Sequence, residues 1–224
     1  MQRDYQAHQP FVPDFLRAYA DLSAFPMADD SFNPPDLWTA QIQEEKLGEI
    51  HLPTGEIIAC DPAKACFPKD CYSFRDRVEP GRYAVYLGVP DPHTARRYAK
   101  NVYAVLHLSE ATPVQWEMAL ALEQKITDLE RYHYYGFGVD SGLGCLIDAS
   151  FLSLLEQYGE RKQGMLGGDE ITQLSDNPEA NVAIFMAGMG DGRYPAFSGF
   201  ERDTIPCGLL IDFMLISTPE EMRL

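Results

Sequence analysis

From residue 47 onward, short apolar runs follow one another with turn residues between them and almost no room for a long crossover helix. A parallel strand pair needs such a crossover of a dozen residues or more, so the chain is restricted to mainly antiparallel pairing. The runs themselves read as strands. In Gly81-Arg82-Tyr83-Ala84-Val85-Tyr86-Leu87, residues Tyr83, Val85 and Leu87 fall on one face, because strand side chains alternate. Residues 101–108 are apolar at nearly every position, as a strand covered on both faces must be. Val114, Trp116, Met118 and Leu120 alternate with Gln115 and Glu117, an aromatic run spans Tyr132 to Val139, and further strands are expected over 143–147, 181–187, 193–198 and 209–216. Pro53-Thr54-Gly55 between Leu52 and Ile57 reads as a hairpin turn, and Asp191-Gly192 as a primed turn joining 181–187 to 193–198.

Helices are few. Phe15, Leu16, Tyr19, Leu22 and Phe25 recur at helical spacing, which predicts a helix over 13–23, followed by a loop over 27–37. A second helix is expected over 150–158, capped by Asp148 and stopped by Gly159. Residues 63–80 and 160–180 read mostly as loop. The expected architecture is therefore α+β and β-rich, a mainly antiparallel sheet or sandwich with a few short helices. Its organisation is a single domain over 1–224, with a helix-and-loop appendage over 1–45 and a β-rich core over 46–218.

Charge narrows the function classes. With 34 acidic and 18 basic residues the chain carries a net −16, which repels phosphate backbones and anionic lipid. Neither nucleic acid nor membrane is an expected partner, and a basic protein is. Five cysteines (Cys60, Cys66, Cys71, Cys145, Cys207) with no C-x-x-C pair fit neither a zinc site nor a disulfide scaffold, so reduced thiols in a cytoplasmic protein are expected. The first residues lack an apolar signal core, and no apolar run is long enough to span a bilayer. Oligomeric state is not legible.

Aspartates placed where apolar runs end carry what chemistry the sequence holds: Asp61 after Ile57-Ile58-Ala59-Cys60, Asp140 after Phe137-Gly138-Val139, Asp148 after Leu146-Ile147, and Asp212 within Leu209 to Ile216. A carboxylate half buried at a strand end must find donors, a cation or a proton. Asp140, Asp148, Asp191 and Asp212 are thus the catalytic candidates. Asp140, Asp148 and Asp191 are candidate ligands for magnesium or calcium, both of which take oxygen donors; no cofactor is otherwise expected. Two glycine-rich segments, 136–144 and 188–192, lack the spacing of a dinucleotide fingerprint or a phosphate-binding loop. With the strand-end Asp61, these segments and the Arg193-Tyr194 that follows the second make Asp61, Asp140, Gly142, Asp191, Arg193 and Tyr194 the candidate ligand-binding residues. The histidines are scattered, and no nucleophile motif occurs. His107 and His133 are expected to pack in strands.

An ordered series of segments carries a resemblance: Leu52-Pro53-Thr54-Gly55, Ala59-Cys60-Asp61-Pro62, Pro80-Gly81-Arg82-Tyr83, Trp116-Glu117-Met118-Ala119, Tyr135 to Gly142, Gly144 to Asp148, Gly190 to Tyr194, Ser198-Gly199 and Ile211-Asp212-Phe213. In order and spacing this resembles a bacterial family catalogued as domain of unknown function 4241, over about residues 47–216. In that family an Asp and then a Gly follow Ser198-Gly199; here Glu201-Arg202-Asp203-Thr204 fills the turn. The resemblance implies no activity, cofactor or catalytic residue. Two readings follow from the residues themselves. One is a non-enzymatic protein-binding module, neutralising a basic partner or toxin in the manner of an immunity protein. The alternative is a metal-dependent hydrolase or small-ligand-binding protein that uses clustered aspartates.

Overall fold

The structure, a computed structural model, describes residues 16, 25–29, 36–65, 67, 71–90, 101–130, 133–162, 165–202 and 205–215. In chain order the strands are β1 (Phe25–Asp29), β2 (Asp36–Ala40), β3 (Ile42–Leu52), β4 (Ile57–Cys60), β5 (Tyr72–Ser73), β6 (Gly81–Pro90), β7 (Tyr103–His107) and β8 (Gln115–Met118). They continue as β9 (Phe137–Val139), β10 (Leu143–Asp148), β11 (Glu170–Gln173), β12 (Asn181–Met186), β13 (Gly192–Tyr194), β14 (Ala196–Phe200) and β15 (Pro206–Asp212). Every strand pairing among them is antiparallel. A six-stranded sheet has the order β3-β6-β7-β15-β14-β8, and a five-stranded sheet the order β11-β12-β10-β4-β5. Two ribbons, β1-β2 and β13-β9, complete the set. The β-rich antiparallel architecture expected from the sequence is the one observed.

The two large sheets pack face to face, and alternation along each strand divides three apolar layers. Leu52, Val85, Leu106, Leu146, Phe185 and Ile211 point into the shared core. Tyr103, Val105, Trp116, Phe197 and Leu210 point to the outer face of the six-stranded sheet, where Leu16, Ile126 and Leu129 join them. Ile58, Cys60, Cys145, Ile147, Val182 and Ile184 point to the outer face of the five-stranded sheet. That face is covered by the helix Leu152–Arg161 through Leu155, which is fully buried. Burying a leucine so completely contributes about 1.5–3 kcal/mol. Central β7 is apolar at every buried position because it serves two layers at once. In β3 a bulge between Lys46 and Gly48 moves the inward set by one residue, so Ile42 lies outside while Ile50 and Leu52 lie inside. Glycine is required there: at φ 150° a side chain would be strained, and its Cβ would sit 2.5 Å from Ile171.

Several local expectations are corrected. The turn at Pro53-Thr54-Gly55 exists but does not close a hairpin, since β3 pairs with β6 while β4 pairs with β10 and β5. The turn instead carries the chain from one sheet to the other. Residues 193–198 form two strands in different sheets, and β12 does not pair with either. Strands β1 and β2 occupy parts of the expected loop over 27–37. Strand β11 lies within the expected loop over 160–180, paired along the edge of β12. The second helix runs through Gly159 to Arg161, whose guanidinium donates to Leu174 O at 2.9 Å. β15 ends at Asp212 rather than continuing, as Met214 adopts φ 58°. His107 ends β7 as expected, but His133 is in no strand and its side chain is exposed. The helix expected over 13–23 lies outside the described residues except for Leu16, which is helical and buried.

Candidate functional site

The two glycine-rich segments, far apart in sequence, pair with each other. Gly192, Arg193 and Tyr194 of β13 lie opposite Val139, Gly138 and Phe137 of β9. Beyond the ribbon, Ala187 N donates to Gly142 O at 3.0 Å, and a Cβ on Gly142 would lie 3.8 Å from the Gly190 Cα. Asp140, Gly142, Asp191, Arg193 and Tyr194 are therefore brought into one neighbourhood.

Asp61 sets the position of that neighbourhood. Its carboxylate is 1% exposed and accepts four hydrogen bonds: Ala63 N at 2.8 Å and Ser141 Oγ at 2.7 Å on Oδ1, Asp140 N at 2.8 Å and Ser141 N at 2.7 Å on Oδ2. A buried charge so fully satisfied is a structural clamp. It fixes the backbone of Asp140 and Ser141 against the start of the short 3-10 helix Pro62–Lys64. The Asp140 side chain is left exposed, with Oδ2 at 3.1 Å from Lys64 Nζ.

Between these elements lies a cleft of about 350 Å³, lined by Lys64, Cys71, Tyr72, Gln124, Asp140 and Arg193 around Gly136, Phe137 and Gly138. Arg193 is exposed and donates from Nη1 to Gly136 O at 2.8 Å. Tyr72 donates to Ala119 O at 3.2 Å and hydrogen-bonds Gln124 Oε1. Burial pushes its phenol up to about 12, so it stays protonated at neutral pH. A Cβ on Gly138 would meet nothing within 4 Å, which leaves the middle of the β9 edge open.

The remaining candidates stand elsewhere or face inward. Asp148 ends β10 opposite Ile57, the far end of β4 from Asp61, about 13 Å away at strand rise. Its buried carboxylate accepts from Thr54 N at 3.0 Å, Thr54 Oγ1 at 2.9 Å, Ser150 N at 2.9 Å and Ser150 Oγ at 2.6 Å. It thus holds the sheet-crossing turn to the helix entrance, and does not meet Asp140 and Asp191. Asp212 is fully buried and accepts from Met214 N at 2.8 Å. Tyr194, a ligand-binding candidate in the sequence, points inward: alternation along β13 puts Arg193 outside and Tyr194 in the core. Its hydroxyl donates to Ala187 O at 3.1 Å and Gly190 O at 2.8 Å, holding the 188–190 turn, and burial pushes it up to about 12. Among the described residues, no group of three or more His, Cys, Asp or Glu is arranged to hold a metal ion. No described helix is long and apolar enough to cross a membrane.

Asp140 and Arg193 line the cleft as sequence candidates. Lys64, Cys71, Tyr72 and Gln124 were not among them. Lys64, Cys71 and Tyr72 fall in the stretch 63–80 that reads as loop in the sequence, and only the pairing of β4 with β5 brings Cys71 and Tyr72 to the cleft. No curated protein and no solved structure matches the chain. A family model does match, over residues 50–211, a span that takes in the cleft, the five-stranded sheet and the six-stranded sheet apart from most of β3. The chain belongs to the family described as "Protein of unknown function (DUF4241)".

Proposed function

We propose that this domain binds a small anionic molecule in the cleft between Lys64, Tyr72, Asp140 and Arg193. The observation that carries the reading is a local reversal of charge. The chain has nearly two acidic residues for each basic one, yet among the described residues the charged groups lining the cleft are two cations and one carboxylate. A volume of about 350 Å³ is at the lower end of the range for small-molecule sites, ~300–1,000 Å³. The guanidinium uses one N–H on Gly136 O, and its planar fork suits a carboxylate or phosphate group. Binding is favoured over acid–base catalysis because the cleft's phenol is held protonated and no described histidine lines it. The aspartates expected as a metal-binding hydrolytic set give that alternative no comparable support, since Asp148 stands at the other end of its strand.

Isothermal titration calorimetry with inorganic phosphate, citrate and benzoate, and with choline as the cationic control, tests the reading. At least one anion should bind, more weakly as salt rises, because partly exposed charges are screened within about 10 Å at 0.1 M. Gly138→Leu should block the cleft without disturbing the fold. Arg193→Gln should weaken binding at least ~10-fold, about 1.4 kcal/mol. Failure of every anion, or binding that survives both substitutions, refutes it.

A further inference from the structure

Two thiols on adjacent strands stand beside a third just before the start of the next strand. Cys60 of β4 lies directly opposite Cys145 of β10, with their sulfurs 3.5 Å apart. On the other side of β4 the register pairs Ile58 with Ser73 and Ala59 with Tyr72, and Cys71 immediately precedes β5, one residue beyond the last of these pairs and on the side of Cys60. Cys60 and Cys145 belong to the apolar layer outside the five-stranded sheet, and Cys71 packs against that layer. Cys60 hydrogen-bonds both neighbouring thiols. Its bond with Cys145, reinforced by burial, holds it well above the ordinary thiol range. None of the three is in a disulfide. They differ in access. Cys60 and Cys145 are fully buried, whereas Cys71 is half buried and lines the cleft.

We propose that Cys71 and Cys60 form an oxidation-sensitive dithiol, in which a hydroperoxide entering the cleft oxidises Cys71 and Cys60 then closes the disulfide. Directly opposed residues in antiparallel strands have Cα atoms ~4.5–5.5 Å apart, within the ~4.4–6.8 Å that a disulfide spans. Cys71 lies one residue beyond such a pair and already hydrogen-bonds Cys60, so side-chain rotation can bring the sulfurs to bonding distance. In the first step the Cys71 sulfur attacks the peroxide, the O–O bond breaks, and Cys71 becomes a sulfenic acid as the other oxygen leaves as water or an alcohol. In the second step the Cys60 sulfur displaces that hydroxyl, its proton leaves with the hydroxyl as water, and the S–S bond forms. The two thiols supply the two electrons that reduce the peroxide. Cys145 can then attack the Cys60 sulfur and release Cys71 as a thiol, moving the disulfide one strand inward with no net redox change. Burial keeps Cys60 from direct attack by oxidant in water, so its oxidation is expected to run through Cys71.

Native protein titrated with hydrogen peroxide, blocked with an alkylating agent and digested without reduction tests this. Trypsin separates Cys60, Cys66 and Cys71 onto different peptides, because Lys64 and Lys69 stand between them. The expected product is a Cys60–Cys71 link. A Cys60–Cys145 link whose formation slows at least ~10-fold in Cys71→Ser also supports the proposal, as the exchanged product. In Cys60→Ser, Cys71 should persist as a sulfenic acid trapped by dimedone. Cys71 stopping as sulfenic or sulfinic acid in the unsubstituted protein overturns the proposal. So does a link from Cys71 to Cys66, or a Cys60–Cys145 link that forms equally fast in Cys71→Ser. The unsubstituted protein and Cys71→Ser, whose side chain is half buried, are sufficient to decide between these outcomes even if the buried Cys60 variant is unstable.

Discussion

Replacing Asp61 with asparagine changes one atom and tests whether a buried carboxylate organises the cleft. The carboxylate accepts from three backbone N–H groups and the Ser141 hydroxyl, all at 2.7–2.8 Å. Asparagine offers one acceptor oxygen. Set against Asp140 N and Ser141 N, it leaves its amide group facing Ser141 Oγ and Ala63 N. The hydroxyl can turn to accept, but Ala63 N–H then faces another donor. Each hydrogen bond to a charged group contributes about 1.5–3 kcal/mol net, and the bonds that survive lose their charge assistance. The expected loss is about 2–4 kcal/mol for Asp61→Asn, and about 3–5 kcal/mol for Asp61→Ala, which leaves every donor without its acceptor. At about 2.1 cal/mol/K per residue, the unfolding entropy of 224 residues is about 0.47 kcal/mol/K, so Asp61→Asn should lower Tm by about 4–9 °C. Urea unfolding should show the midpoint falling with the slope unchanged. Asp140→Asn is the control: its side chain is 72% exposed beside Lys64, and its loss should stay within about 0.5 kcal/mol. If Asp61→Asn is also within about 0.5 kcal/mol of the parent, the clamp is wrong, and with it the account of how Asp140 is aimed.

Gly55→Ala should destabilise by about 2 kcal/mol or more in the same urea assay, because φ is 69° and the new Cβ would lie 1.8 Å from Val78 O; a neutral result would mean the turn between the sheets relaxes freely. Tyr72 and Tyr194 should ionise near 12 in an absorbance titration of the folded protein, while phenols of the unfolded chain ionise near 10. The folded state then holds protons the unfolded state has released, so stability is at its full value below about pH 10 and falls as pH rises towards 12; a stability profile flat across that window would refute it.

The strand-rich antiparallel class was legible because alternation is a local property. Val85 and Leu87 point inward together in any register that buries that face, and a run such as 102–106 is apolar throughout only when both its faces are covered. Turns were legible too, but not the strands they join. Pro53-Thr54-Gly55 looks the same whether the next strand returns along the first or crosses to another sheet, and that choice lies in β10, nearly a hundred residues away. Asp61 and Asp148 were readable as carboxylates that needed partners. Their partners, 79 and 94 residues distant, were not.

The sequence by itself determined the period of the strands, the scarcity of crossover helices and the excess of negative charge, each a property of neighbouring residues or of composition. Tertiary structure alone decided that the two glycine segments meet, that Lys64 and Arg193 face one hollow, and that Cys71, Cys60 and Cys145 stand together. The physical reason is that each of these follows from strand register. Register is set by how both sheets together bury their apolar faces, a long-range condition that no single segment encodes.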